Sequence, residues 1–507
     1  KRTITRRIAR EKKKIEKRLA KARSENGALP TLGASNIHYE IAERTKAIPY
    51  GGIGAIHTLV KYVDLAKLID EKVHVLKQHR PYHESDHVLN IAYNSLCGGH
   101  TIDDIALRRK NEVYLNALDA QSIPAPTTAG DFCRRFTPTE IENLLEAINQ
   151  SRLKIWAKQP ADFFKETARI DSDGSLLETL GECKEGMDIS YKGVWGYHPL
   201  VVSLANTQEV LYLLNRSGNR PSYEGVIPLF DKSIALCRQA GFSSILLRGD
   251  TDFSLTSEFD RWDDDNVHFV FGYDAHPNLK KICQELPESD YEELVRKTEK
   301  AITTATRTRP HNVKEEIIVK REFKNIKLKS EQIVEFEYQP TRCERSYRMV
   351  AIRKNLSIEK GELVLFEEYR YFFYITNKSS LTKEQVVEEA NQRCNQENLL
   401  AQLHGAVRAL RAPVNTLNAN WAYMVMAALS WNLKAWAGLM LPVHPRWREE
   451  HTKKREQLLR MEFRTFLNAF INIPAQIVKT GRRLVYRLLS WNPFQHAFFR
   501  LFDALRE

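Results

Sequence analysis

No uncharged apolar run in this 507-residue sequence reaches the roughly 18 residues that a membrane-spanning helix needs. The nearest stretch, 421–442 (WAYMVMAALSWNLKAWAGLMLP), is interrupted by Asn432 and Lys434 and reads as a buried helix. The first residues are too charged for a signal peptide. Cysteine is sparse and scattered. The seven, at 97, 133, 183, 237, 283, 343 and 394, include no C-x-x-C pair, which argues against a zinc site and for a reducing compartment. The cytoplasm is the expected location.

Charge imbalance is missing from most of the chain as well. The formal net charge is +12, yet residues 1–23 (KRTITRRIAREKKKIEKRLAKAR) carry twelve Lys/Arg against Glu11 and Glu16, a net of +10. The other 484 residues hold 64 basic and 62 acidic groups. A concentrated basic arm suits a polyanion; a targeting or solubility tail is the plainer reading. A second basic stretch, 446–487, interleaves aromatics and Leu and predicts a helix lying on a phosphate backbone, a salt-sensitive contact without base specificity. An ordinary surface helix would look the same. Apolar content of 43% and a mean hydropathy of -0.45 fit a soluble globular protein, and the length predicts two to four domains.

Element order narrows the fold. Residues 46–160 show apolar spacing of three and four, the mark of helices. Within them PAPTTAGDFCRRF resembles the second helix of a helix-turn-helix. From about 165 the period changes. TARIDSD reads as a strand, YHPLVVSLANTQEVLYLLNRSG as a hairpin, YEGVIPLFDKSIALCRQAG as a helix, SSILLRGD as a strand, LTSEFDRWDDD as a helix and VHFVFGYD as a strand. This β-β-β-α-β-α-β order is that of the ribonuclease H-like fold, an α/β core with a mixed five-stranded sheet flanked by helices, in which strands one and four are neighbours. Residues 276–370 begin with helical text (YEELVRKTEKAI) and continue as alternating strands, a β-rich insertion. A helix then starts at a capping-box candidate, Thr382 with Gln385. The expected divisions are a basic arm (1–45), a helical DNA-binding or dimerisation region (46–160), a core in two parts (161–275 and 376–440), the insertion (276–375) and a basic helical C-terminal region (441–507).

Three acidic stretches fall at telling places in this order. Asp171 and Asp173 end the first strand, Asp250 and Asp252 follow the fourth, and Glu397 lies in the last helix of the core. Along that helix Ala390, Arg393, Glu397, Leu400, Ala401 and His404 share a face. A structural Arg393–Glu397 salt bridge is the plain alternative. Carboxylates gathered this way suit hard cations such as Mg²⁺, which take oxygen ligands and keep several waters. Two such ions about 3.5–4 Å apart activate an attacking water or 3′-hydroxyl and stabilise the leaving oxygen of a phosphodiester. Arg393 would hold a phosphate or the glutamate itself.

The chain resembles the DDE transposases of bacterial insertion sequences, most closely the family numbered 1380. The resemblance rests on LCGGHTIDDIALRR, IDSDGSLLE, YKGVWGYHPLVV, LLNRSGNRPS, LLRGDTDF, FYITNKSSLTKEQVVEEANQRCNQEN and LNANWAYMVMAALSWNL. It implies Asp173, which precedes Gly-Ser, as the first metal ligand, Asp250, three residues before Phe253, as the second, and Glu397 as the third. It implies two Mg²⁺ ions, with Mn²⁺ able to substitute. The implied partners are double-stranded DNA, as terminal inverted repeats and target, and a second copy of the chain on paired ends, in a bacterial cytoplasm and on the nucleoid when DNA is bound. Related transposases often carry Tyr, Arg, Glu and Lys at offsets 0, 3, 7 and 14 on the glutamate helix. Here Arg393 and Glu397 match, whereas Ala390 and His404 stand at the Tyr and Lys positions. Arg393, His404, and Arg216 and Arg220 in the NRSGNRP loop are the DNA-contact candidates. A nuclease or resolvase on the same fold, and a domesticated transposase that only binds DNA, are the alternative functions.

Other matches carry less. His83-Glu84-Ser85-Asp86-His87 fits H-E-x-x-H but has no visible third ligand. Arg248-Gly249-Asp250 has no weight as an adhesion tripeptide. Trp421, Trp431 and Trp436 read as core.

Overall fold

The structure, a computed structural model, describes residues 2–24, 37–41, 45–79, 81–294, 327–359, 362–481, 483–489 and 491–506. Helix α1 (Arg2–Ser24) carries the basic arm, with most of its described side chains exposed. The next helical text divides into Ile53–Tyr62 and Leu65–Lys72, because Asp64 between them takes a left-handed backbone at φ 53. Helices Glu84–Leu96, Pro126–Arg134 and α2 (Pro138–Trp156) follow. The start of α2 combines two ordinary signals: the Thr137 hydroxyl accepts the Glu140 N–H, and Pro138 occupies the first turn. In the H-E-x-x-H segment, Glu84 and His87 are buried, and the His87 ring stacks on Phe132 at 4.3 Å. These side chains are core.

A mixed sheet flanked by helices forms the centre. Its strands are β1 (Ala168–Gly174), β2 (Leu200–Leu204), β3 (Glu209–Leu214), β4 (Ile245–Gly249) and β5 (His268–Tyr273), standing in the order β3-β2-β1-β4-β5. The pair β1–β4 is parallel, with Ile170 opposite Leu247 and Asp171 opposite Arg248, and β5 continues the parallel run. The β1–β2 and β2–β3 pairs are antiparallel. These five strands are consecutive members of a larger, nine-stranded sheet. The remaining strands are β6 (Lys327–Tyr338), β7 (Tyr347–Glu359), β8 (Glu362–Thr376) and the short Glu292–Glu293. β8 pairs antiparallel with the outer edge of β5, so the β-rich segment extends the central sheet. One expectation changes here. Glu292–Glu293, read as part of a helix, is an edge strand because its backbone pairs with Gln332 and Ile333 of β6; residues 295–326, including the rest of that helical text and KEEIIVKREFKN, lie outside the described residues.

Period-two alternation sorts the two faces of the sheet. Ile170 and Leu247 face the core beside Phe230 of helix α3 (Val226–Ala240). Leu246 and Val270 pack with Val386 and Val387 of helix α4 (Lys383–Gln392) on the other face. Helix α5 (Cys394–His404) continues α4 after an irregular joint at Arg393. Helix α6 (Leu417–Leu439) is buried from Ala419 to Leu439, which accounts for its unbroken apolar composition. Its Trp421, Trp431 and Trp436 indoles donate to Leu213 O, Gln208 O and the Glu209 carboxylate. No helix among the described residues is long and apolar enough to cross a membrane.

The C-terminal basic text is only half helical. Helix α7 (Arg448–Arg460) is exposed along most of its length, but residues 475–488 form a hairpin, Ala475–Thr480 with Arg483–Leu488. The expected helix fails there because Gly481 turns the chain at φ 53 and Leu484, Tyr486 and Leu488 alternate with exposed residues. The hairpin also pairs with Ala47–Ile48, joining the two ends of the described core.

Candidate active site

Asp173 lies next to the end of β1, opposite Val201 of β2. Gly174 after it has no room for a side chain: a Cβ there would meet His198 Nε2 at 2.6 Å. Asp250 follows β4 and caps a short turn, accepting the Asp252 N–H at 3.0 Å. Buried Phe253 anchors that turn and packs so near Gly249 that a Cβ there would lie 2.6 Å from it. The parallel pairing of β1 and β4 therefore brings the two aspartate positions together.

The third stretch arrives from the helix side. Thr382 and Gln385 form the expected capping box, Thr382 N–H to Gln385 Oε1 at 2.9 Å and the Gln385 N–H to Thr382 Oγ1 at 3.3 Å. At the joint between α4 and α5, Arg393 reaches Asp173 Oδ2 with Nη1 at 3.4 Å and Glu397 Oε1 with Nη2 at 4.0 Å. Asp173 and Arg393 are mostly covered, whereas Glu397 is 63% exposed. Burial pushes the Asp173 carboxyl up to about 7; Arg393 opposes the shift, and the negative charges of Asp250 and Glu397 add to it. Asp250 is also raised, first by burial, then against Arg393 by Asp252 and Asp274. One guanidinium thus stands among three carboxylates from distant segments.

Asp274 was not singled out from the sequence, although VHFVFGYD ends in a carboxylate just past a strand, the same signal that marked the other two. Asp171 has a different role from Asp173. It is 1% exposed, and its two oxygens accept from Arg248 Nε and Nη2 at 2.7 and 2.9 Å. Asp252 is exposed and joins Asp250 through its backbone.

Two of the expected DNA contacts are engaged within the protein. Arg216 is 5% exposed, and its Nε and Nη1 donate to the carbonyls of His198, Pro221, Ser222 and Glu224. It builds the loop from within. His404 is half-buried against Ser175 Oγ at 2.7 Å, and burial lowers its pKa. Arg220 remains on the surface, 3.5 Å from Glu224.

An all-oxygen donor set in which Asp250 and Glu397 add to the rise of the Asp173 carboxyl fits a hard divalent cation. Among the described residues, no three His, Cys, Asp or Glu side chains are grouped closely enough to form a ready-made metal site. Arg393 is the cation that these carboxylates share.

The sequence profile of the transposase DDE domain group 1 family matches residues 49–507. The protein belongs to this family of DDE transposases. No curated protein matches the chain. Among solved structures it is similar to a piggyBac transposase synaptic complex with hairpin DNA, at 11% identity and a TM-score of 0.36, over 83% of this chain and 82% of that one.

Proposed function

We propose that this chain is a metal-dependent DNA transposase with a ribonuclease H-like core, of the kind carried by bacterial insertion sequences and nearest the family numbered 1380. It binds terminal inverted repeats as a homodimer in the bacterial cytoplasm, cuts the DNA at the element ends and joins the freed 3′-hydroxyls to target DNA. The observation that carries this reading is the convergence of Asp173, Asp250 and Glu397 on Arg393, within a chain that belongs to a DDE transposase family. The strand order β3-β2-β1-β4-β5, with Glu397 on a helix after the sheet, supports the fold assignment.

Asp173 and Asp250 would be the sheet's metal ligands and Glu397 the helix's, for two Mg²⁺ or Mn²⁺ ions. When bound, such ions activate the attacking hydroxyl and stabilise the leaving oxygen. Arg393, mostly covered and paired with Asp173, balances carboxylate charge and would be the group to hold a phosphate oxygen. Exposed α1 and Arg220 supply non-specific backbone contacts.

The test is cleavage of end-containing DNA by Asp250→Asn and Glu397→Gln proteins of unchanged fold. Loss of cleavage in both is expected, and wild-type cutting by either would refute the assignment. Strand transfer of pre-cleaved ends decides between a transposase and a nuclease on the same core.

A further inference from the structure

Backbone pairing between β1 and β4 sets the spacing of Asp173 and Asp250. Glu397 has no such constraint, because a helix packed on a sheet shares no ladder with it. Side chains must set its position, and the structure shows two anchors. The first is Gln396, the residue before Glu397, which is 2% exposed. Its Nε2 donates to the carbonyl of Val201 at 3.1 Å, and its Oε1 accepts from the Ser203 hydroxyl. Val201 is the β2 residue paired with Asp173. One buried amide therefore ties the glutamate helix to the ladder position of the first aspartate.

The second anchor lies two turns earlier. Glu389 accepts from Arg169 Nη2 at 2.7 Å and from Arg248 Nη1 at 2.9 Å. Burial alone would raise this carboxyl, but the two guanidinium groups hold it below its ordinary range. Arg248 also holds Asp171, so strand β1, strand β4 and helix α4 meet in one buried ionic clasp. The irregular joint at Arg393 falls between the clasp and Gln396. The clasp fixes α4, and Gln396 fixes α5 on the far side of the joint.

We propose that Gln396 is a positioning residue: through Val201 and Ser203 it sets Glu397 relative to Asp173, and the metal affinity of the site depends on it. This role rests on the carboxylates being metal ligands. Groups that orient metal ligands typically change affinity roughly 10- to 100-fold when removed.

The test uses the full chain with Gln396→Met, which keeps the length of the side chain and loses both hydrogen bonds, and Ser203→Ala, which loses one. Mn²⁺ binding is measured by titration calorimetry, together with metal-free thermal unfolding and the metal dependence of cleavage. Gln396→Met is expected to weaken Mn²⁺ binding by roughly 10- to 100-fold, with cleavage recovering at high metal concentration. Ser203→Ala should shift affinity in the same direction by a smaller factor. Wild-type affinity in a folded Gln396→Met protein overturns the proposal. If that variant does not fold, wild-type affinity in Ser203→Ala overturns it. Asp173→Asn and Glu397→Gln separate the metal site from its positioning. If they too bind Mn²⁺ like the wild type, the metal-site reading itself fails; if they lose binding while Gln396→Met keeps it, only the positioning role fails.

Discussion

Asp171 and Asp173 are two residues apart on one strand, and replacing each by Asn should move stability in opposite directions. Asp173 is 15% exposed and has Asp250 and Glu397 as like-charged neighbours, which with burial lift its carboxyl from the ordinary 3.8 to about 7. At about 1.4 kcal/mol per pKa unit, a lift of about 3 units caps the destabilisation by the ionised group at about 4 kcal/mol. Asn removes that charge but also the ion pair with Arg393, so the expected net gain is about 1–2 kcal/mol. A carboxyl with a raised folded pKa holds its proton more tightly when folded, so its stabilising contribution is complete below the unfolded pKa and is lost as pH rises toward 7. The advantage of Asp173→Asn should therefore be small at pH 5 and full at pH 8. Burial raises the Asp171 carboxyl too, but Arg248 opposes that rise through a two-point ion pair, and removing the carboxylate would strand a buried guanidinium. Both members of its pair with Arg248 are 1% exposed, and removing one partner of such a pair costs about 3–5 kcal/mol. Urea unfolding of metal-free protein at pH 5 and pH 8 measures both shifts. The reasoning is refuted if Asp173→Asn is the less stable protein at pH 8, or if Asp171→Asn unfolds with the wild type.

Lys434 offers an independent pH test. Its ammonium is buried, donates to Leu459 O at 2.6 Å and lies 3.9 Å from the Trp431 ring centroid, and burial lowers its pKa from 10.5 to about 7. Between those values the unfolded chain binds more protons than the folded one, so stability should rise with pH from 7 toward 10, and Lys434→Met should flatten that rise in urea titrations. Arg216→Ala should lower stability by about 3 kcal/mol, since several buried carbonyls lose their donor. Arg220→Ala should instead leave the urea midpoint unchanged, weaken binding to DNA of any sequence and reduce the salt slope by about 1. Glu397→Gln should unfold within about 0.5 kcal/mol of the wild type, because its side chain is largely exposed, while cleavage is lost.

Much of the sheet is legible in the sequence because its strands carry strong local signals. Short runs rich in β-branched and apolar residues lead into Asp173 and Gly249, and the Thr382–Gln385 capping box announces α4 within a few residues. Sequence and structure part where the deciding contact is distant. Glu292–Glu293 becomes a strand only because β6 lies beside it, and the helix expected to run unbroken through Glu397 is irregular at Arg393. Arg216 has the look of a surface contact because its loop is rich in Arg, Asn and Gly; the four carbonyls that enclose it belong to a three-dimensional turn that spacing does not show.

The pair Asp171/Asp173 shows why strand periodicity has a limit. Residues i and i+2 share a face, so alternation assigns both the same environment. What separates them is the neighbouring strand. Asp171 is level with Arg248, which takes both its oxygens, whereas Asp173 lies one step further along β1, beyond its paired stretch with β4, within reach of Arg393. Arg248 belongs to the tripeptide Arg248-Gly249-Asp250, which has no meaning as a surface motif. Buried, the arginine neutralises the inner carboxylate and ties Glu389 to the sheet, and Asp250, two residues on, is left beside Asp173 as the proposed second ligand. The same arginine that pairs with Asp171 therefore also holds, through Glu389, the helix that brings Arg393 and Glu397 toward Asp173.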